Sequence, residues 1–243
     1  MSVSVSSPSG PAIPALHHAW TGLRTLRSTW VLSGLVVLAQ LGFALVDQRA
    51  DTTGTEQFTK GLSLMIVLTA APIAALGVNA FGAEYRHRTI ITTVLTLQSR
   101  AWIVAAKAVV VAALGAVTAA VAAAVDYVGV LAIGHTVPDP GRALAAAGAT
   151  VSYVTLTGLV GLALAGLTRS AVAALSITVL WPAVLEPLLT TALRLDSRMV
   201  PFAAARQLAE AGAAAHGYEA LPLLALTALL LAGSALALSR RDV

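Results

Sequence analysis

GAEYRHRTIITTVLTLQSRAWIVAAK, residues 82–107, is the stretch whose reading decides the fold. It lies between two long apolar runs and carries Glu84, Arg86, Arg88, Arg100 and Lys107, with His87 titratable. At the helical period, Ile90, Val94 and Leu97 share a face with Ile91 and Leu95, and Gln98 is the one polar residue on that face. Thr89, Thr92, Thr93, Thr96, Ser99 and Arg100 fall opposite, with Arg88 at the border. The pattern predicts a short amphipathic helix, too short and too polar to cross a bilayer. Two surfaces suit it. It is either a connector lying on lipid headgroups or a docking helix that transmits force from a soluble partner.

The flanking sequence sets the environment. The 243 residues are 58% hydrophobic and 11% charged, against about 25% charged in an ordinary soluble domain. With a mean hydropathy of +0.84, the chain reads as an integral membrane protein. Each crossing takes roughly 20 apolar residues, so the length accommodates about six spans and no soluble catalytic domain. Cysteine is absent, which excludes disulfides and thiolate metal sites. The pI near 10.0 does not point to nucleic acid. Its cations are scattered among apolar spans and do not form one basic face, so they read as topology signals.

In chain order, residues 1–14 are Ser/Pro-rich and read as disordered. Leu16, Trp20 and Leu23 then recur at helical spacing beside Arg24 and Arg27, as in an interfacial helix. Residues 1–29 are thus an N-terminal segment, and 30–243 a single transmembrane domain. The expected spans are 30–46, 61–82, 102–134, 142–167, 171–193 and 221–238. A secretory signal competes for the first, but the run starts late and ends without an A-x-A cleavage pattern. Residues 47–60 read as a polar loop, and Pro72 lies inside the second span, where a bundle tolerates a kink. Asp126, in the last third of the third span, is expected near the headgroups. HTVPDPG, residues 135–141, is a turn, as is Thr168-Arg169-Ser170. Residues 194–219 are more polar, with a helical piece around Phe202–Ala214.

Charge orients this arrangement. With both termini inside, the inner side holds Arg24, Arg27, Arg86, Arg88, Arg100, Lys107, Arg169, Arg240 and Arg241. The outer side holds Arg49, Lys60, Arg142, Arg194, Arg198 and Arg206, together with most of the acids. The excess of inner Lys and Arg near span ends favours cytoplasmic termini and puts the amphipathic helix in the cytoplasm.

Catalytic signatures are missing. There is no G-x-x-x-x-G-K-[ST], so the chain does not itself cradle ATP, and neither H-E-x-x-H nor G-x-S-x-G occurs. The five histidines fall outside the apolar cores of the spans. One residue stands out, Glu186 in WPAVLEPLL, between Pro182 and Pro187 in the fifth span. A mid-bilayer acid is expensive and marks a bundle interior, a pathway or a paired charge. The alternative is an acid that snorkels, or is protonated, at the end of a helix broken by the two prolines.

The stretch quoted first also carries a resemblance. Gly82-Ala83-Glu84-Tyr85-Arg86-His87-Arg88-Thr89, then Leu95-Thr96-Leu97-Gln98-Ser99-Arg100, then Ala106-Lys107, resembles the membrane (permease) subunits of type-2 ABC exporters. Their usual pattern is E-x-R-x-G-T after the second span, an amphipathic stretch, L-x-x-P-x-R, and a lysine entering the third span. Here Arg88 stands in place of the glycine and Gln98 in place of the proline. The resemblance implies an all-α membrane protein of six transmembrane helices with both termini cytoplasmic. It implies a cytoplasmic coupling helix between spans two and three, using Glu84, Arg86, Arg88, Thr89, Ile91, Leu95, Arg100 and Lys107. It further implies two separate ATP-binding subunits as partners, which carry the ATP and Mg, so this chain binds no cofactor of its own. A second permease copy, identical or related, completes the path in a cell membrane, of bacterial inner-membrane type. The cargo class is a drug, antibiotic or other amphipathic molecule. Two other readings stay open: a proton- or ion-coupled secondary transporter, and a non-transporting membrane anchor or immunity-type protein.

Overall fold

The computed structural model describes residues 16–17, 19–22, 27–46, 54–87, 100–132, 134–211 and 217–240. Among these, the chain is helical with no strand. The principal helices are α1 (Arg27–Val46), α2 (Gly54–His87), α3 (Arg100–Ala132), α4 (Pro140–Thr168), α5 (Ala171–Leu180), α6 (Glu186–Ala192), α7 (Pro201–Ala211) and α8 (Leu221–Arg240). A π-helical segment, Trp181–Leu185, joins α5 to α6 without a break. The disordered tail expected over 1–14 lies outside the described residues. So do residues 88–99, the body of the expected amphipathic helix.

Among the described residues, four helical stretches are long and apolar enough to cross a membrane: Trp102–Ala132, Pro140–Thr168, Ala171–Ala192 and Tyr218–Ser239. The chain is therefore a multi-pass membrane protein in its architecture. The first two expected spans are also helical, as α1 and α2, and within α2 the run Ala71–Phe81 is a shorter apolar stretch. α2 passes through Pro72 as one helix.

Local chemistry explains the boundaries. Pro140 sits in the first turn of α4, where its missing N–H costs no hydrogen bond. The Asp139 carboxylate accepts from the Arg142 N–H at 2.9 Å and caps that turn. At the far end Arg169 adopts φ 54° and its N–H returns to the Ala165 carbonyl, while Ser170 Oγ caps α5 by accepting from Ala173 N–H at 3.3 Å. The expected tight turn at 168–170 is this back-to-back pair of caps.

One boundary differs from expectation. Residues 47–60 were to be a loop, yet α2 already begins at Gly54. Thr55, Gln57 and Phe58 are buried there, and Thr55 Oγ1 accepts from Asp139 N–H at 3.4 Å. Thr55 is thereby tied to the α3–α4 turn.

α4 is the central post. It packs against α2, α3, α5, α7 and α8, and 67% of its apolar window is buried, against 17% for Ala171–Ala192 and 22% for the last span. Closeness at the α2–α4 crossing depends on glycine. A Cβ on Gly77 would lie 1.9 Å from the Gly158 carbonyl oxygen, and one on Gly161 would lie 2.7 Å from the Ala74 carbonyl oxygen. Small residues let helix backbones approach where lipid supplies no hydrophobic drive.

Candidate functional site

The expected site residues fall into two places. The first is the base of the α2–α3 hairpin. Glu84 and Arg86 lie in the last turns of α2, and Arg100 opens α3. Arg88, Thr89, Ile91 and Leu95 lie outside the described residues. Lys107 is two turns into α3 and 3% exposed. Its ammonium donates to the Ala80 carbonyl and sits 4.3 Å above the Phe81 ring. A carbonyl and a ring face are what a desolvated ammonium accepts in place of water.

Lys107 therefore pins α3 to α2 from inside the bundle. From that contact α2 runs seven residues to His87, and α3 reaches back seven to Arg100. Both helices thus project about 10 Å past the pin toward the same end of the molecule. Lys107→Met removes the charge but keeps the stem. It is expected to cost about 1–2 kcal/mol and to speed amide exchange in residues 80–87. Exchange mass spectrometry beside a thermal unfolding measurement in detergent checks both.

The second place is built around Glu186. Pro182 and Pro187 lack N–H groups, so a regular α-helical ladder through 181–187 cannot be completed. The chain answers with the π turn, in which Glu186 N–H reaches the Trp181 carbonyl. This turn aims the Glu186 side chain inward, where the residue is 2% exposed. After α6, Arg194 takes φ 49° and Asp196 caps a 3-10 turn over Ser197–Met199. The chain then folds back as α7, which lies against α4, α8 and α2.

The carboxylate meets the N-terminus of α7. Its two oxygens accept from Phe202 N–H at 2.9 Å and Ala203 N–H at 2.7 Å. Pro201 has no N–H to satisfy, and Ala204 N–H reaches the Val200 carbonyl at 2.9 Å. Every donor in the first turn is thereby accounted for. A negative charge at a helix N-terminus also meets the positive end of its dipole. Glu186 is a bundle-facing acid whose carboxylate accepts from two backbone amides.

Around it lies a cavity of about 210 Å³ lined by Tyr153, Pro182, Glu186, Pro187, Thr190, Ser197, Phe202, Ala203 and Arg206. Tyr153 is 4% exposed and packs edge-on against Phe202, with ring centroids 6.1 Å apart. Tyr153 is thirteen residues into α4, about 20 Å from its start. The start of α7 therefore dips deep into the bundle.

Sequence reasoning missed a third buried charge. Asp126, in the last third of α3, is 3% exposed. Its carboxylate lies over Gly61 of α2, where an added Cβ would come within 2.4 Å of an oxygen. The recess exists because residue 61 has no side chain. The usable signal was that glycine opposite an in-span acid. Gly61→Ala is expected to displace Asp126 and lower stability by about 1–3 kcal/mol, read by thermal unfolding beside Gly42→Ala, whose added Cβ meets open space.

Among the described residues no group of three or more His, Cys, Asp or Glu could hold a metal ion. What this region can do is mechanical: it fixes a short helix inside the bundle through a carboxylate. No protein-family model matches the chain, and no curated protein matches it.

Proposed function

We propose that this chain is the membrane subunit of an ATP-driven exporter of the type-2 ABC class. In this reading α1, α2, α3, α4, the α5–α6 helix and α8 are six spans with both termini cytoplasmic. α7 enters from the outer side. The observation that carries the reading is the hairpin base. α2 and α3, pinned together by Lys107, end about 10 Å beyond the pin on one side. They bracket the amphipathic stretch 88–99, which has an apolar face of Ile90, Ile91, Val94, Leu95 and Leu97.

A stretch that joins two helices pinned to each other can pass a push from a soluble subunit into two spans at once. Glu84, Arg86, Arg88 and Arg100 supply charges for ion pairs at that contact. Two ATP-binding subunits dock there and carry ATP and Mg. A second permease copy, identical or related, faces the sparsely buried outer spans. The cargo is amphipathic, of drug or antibiotic type.

Solubilising native membranes and purifying this chain tests the reading. An ATP-binding chain is expected to come with it. A secondary carrier instead gives transport that collapses with the proton gradient, and an anchor or immunity protein gives none.

A further inference from the structure

Phe202 stands between two cavities. On one side is the polar cavity beside Glu186, Tyr153 and Arg206, about 210 Å³ in volume. On the other is an apolar cavity of about 80 Å³, walled by Val160, Ile177, Thr178, Trp181 and Leu230 among others. The ring is 2% exposed and leans on Tyr153. Its own backbone N–H is one of the two donors that Glu186 holds. Trp181, in the wall of the inner cavity, begins the π turn that delivers Glu186. Such turns are local irregularities that occur at functional sites and bend the helix around them.

We infer that Phe202 is a gate inside the protomer and Glu186 its latch. When the carboxylate lets go of Phe202 and Ala203, the first turn of α7 withdraws and the ring leaves its seat. The two cavities then join into one passage between α4, α5 and α8, polar at its mouth and apolar within. That profile takes an amphipathic molecule, with its apolar part against Val160 and Leu230 and its polar group beside Thr190 and Arg206. The gate stands on the cavities and the carboxylate. Its use in export rests on the permease reading above.

The chain has no cysteine, so a single introduced thiol reports alone. Thr178→Cys places one in the inner cavity, at a position 2% exposed. The protein is held in nanodiscs and treated with a membrane-impermeant methanethiosulfonate, which avoids the lipid route. With Phe202 and Glu186 intact, labelling is expected to be slow. Phe202→Ala is expected to raise the rate about tenfold or more, by removing the ring between the cavities. Phe202→Leu raises it less, and Glu186→Gln raises it with the ring still in place. Thr190→Cys, in the outer cavity, labels equally in every background.

If Phe202→Ala does not fold, the leucine and glutamine variants carry the test. An unchanged rate with Glu186→Gln overturns the latch, and an unchanged rate with Phe202→Leu as well overturns the gate. The readout needs no ATPase. A gate that responds in a chain that recruits no ATP-binding subunit therefore sinks the permease reading alone. A coupled exporter whose Thr178 labelling ignores Phe202 sinks the gate alone.

Discussion

Gly77→Ala is expected to lower the stability of the bundle by about 3 kcal/mol, through overpacking at its main crossing. The added methyl would sit 1.9 Å from the Gly158 carbonyl oxygen, with Leu162 N 3.1 Å away. Both neighbours are backbone, so no rotamer change relieves the clash and α2 must move off α4. The gain of up to about 1 kcal/mol from alanine's helix propensity offsets only part of the cost. Gly148→Ala is the matched control. It lies in α4, and its added Cβ meets nothing within 4 Å, so the propensity gain stands unopposed. Thermal unfolding followed by size-exclusion chromatography separates the two. A Gly77→Ala protein that melts with the wild type contradicts the close α2–α4 crossing.

Glu186→Ala is expected to cost about 2–4 kcal/mol, because a buried and a half-buried N–H group at the start of α7 lose their acceptor. The helix also loses the anion at its positive end. Glu186→Gln retains one carbonyl acceptor and presents an NH₂ group to the other donor, so it falls between alanine and the wild type. The loss is local before it is global. Amides of residues 202–205 are expected to exchange much faster in the alanine variant while the α2–α4 crossing keeps its protection. Hydrogen exchange resolved to peptides reads this directly. Equal protection of α7 in both proteins would show that Phe202 packing, and not the carboxylate, seats the helix.

The helical layout was largely legible from apolar run length and from breakers. Pro140 in its Asp-Pro-Gly turn and the Arg169-Ser170 cap are local signals, and the helices end where those residues act. What escaped was tertiary. Residues 47–60 read as loop because the segment is polar, yet Thr55, Gln57 and Phe58 are buried, with Thr55 bonded to Asp139 and Phe58 edge-on to Tyr127 of α3. Asp126 reads as an acid near the end of its span, and its burial against α2 rests on Gly61, which is distant in sequence and leaves room for the carboxylate.

The resemblance groups Lys107, entering the third span, with the coupling residues; the fold sets its ammonium on Ala80 and Phe81. Glu186 is conspicuous in the sequence as an acid inside an apolar span. Its partners, however, lie sixteen and seventeen residues later on α7, and no periodicity links them. The alternation of caps and glycines can be read along the chain, but a carboxylate that caps a helix folded back onto it cannot.

Whether force enters through residues 88–99 is the question on which the proposed function turns. The most direct measurement is ATP hydrolysis by complexes purified from native membranes through this chain. The wild type is compared with the Ile91→Asp/Leu95→Asp double variant after equal membrane insertion is confirmed. Vanadate-sensitive hydrolysis is expected to accompany the wild type and to be lost when the apolar face is charged. A chain that purifies without hydrolysis, or a double variant that retains it in full, contradicts the exporter assignment and its coupling helix.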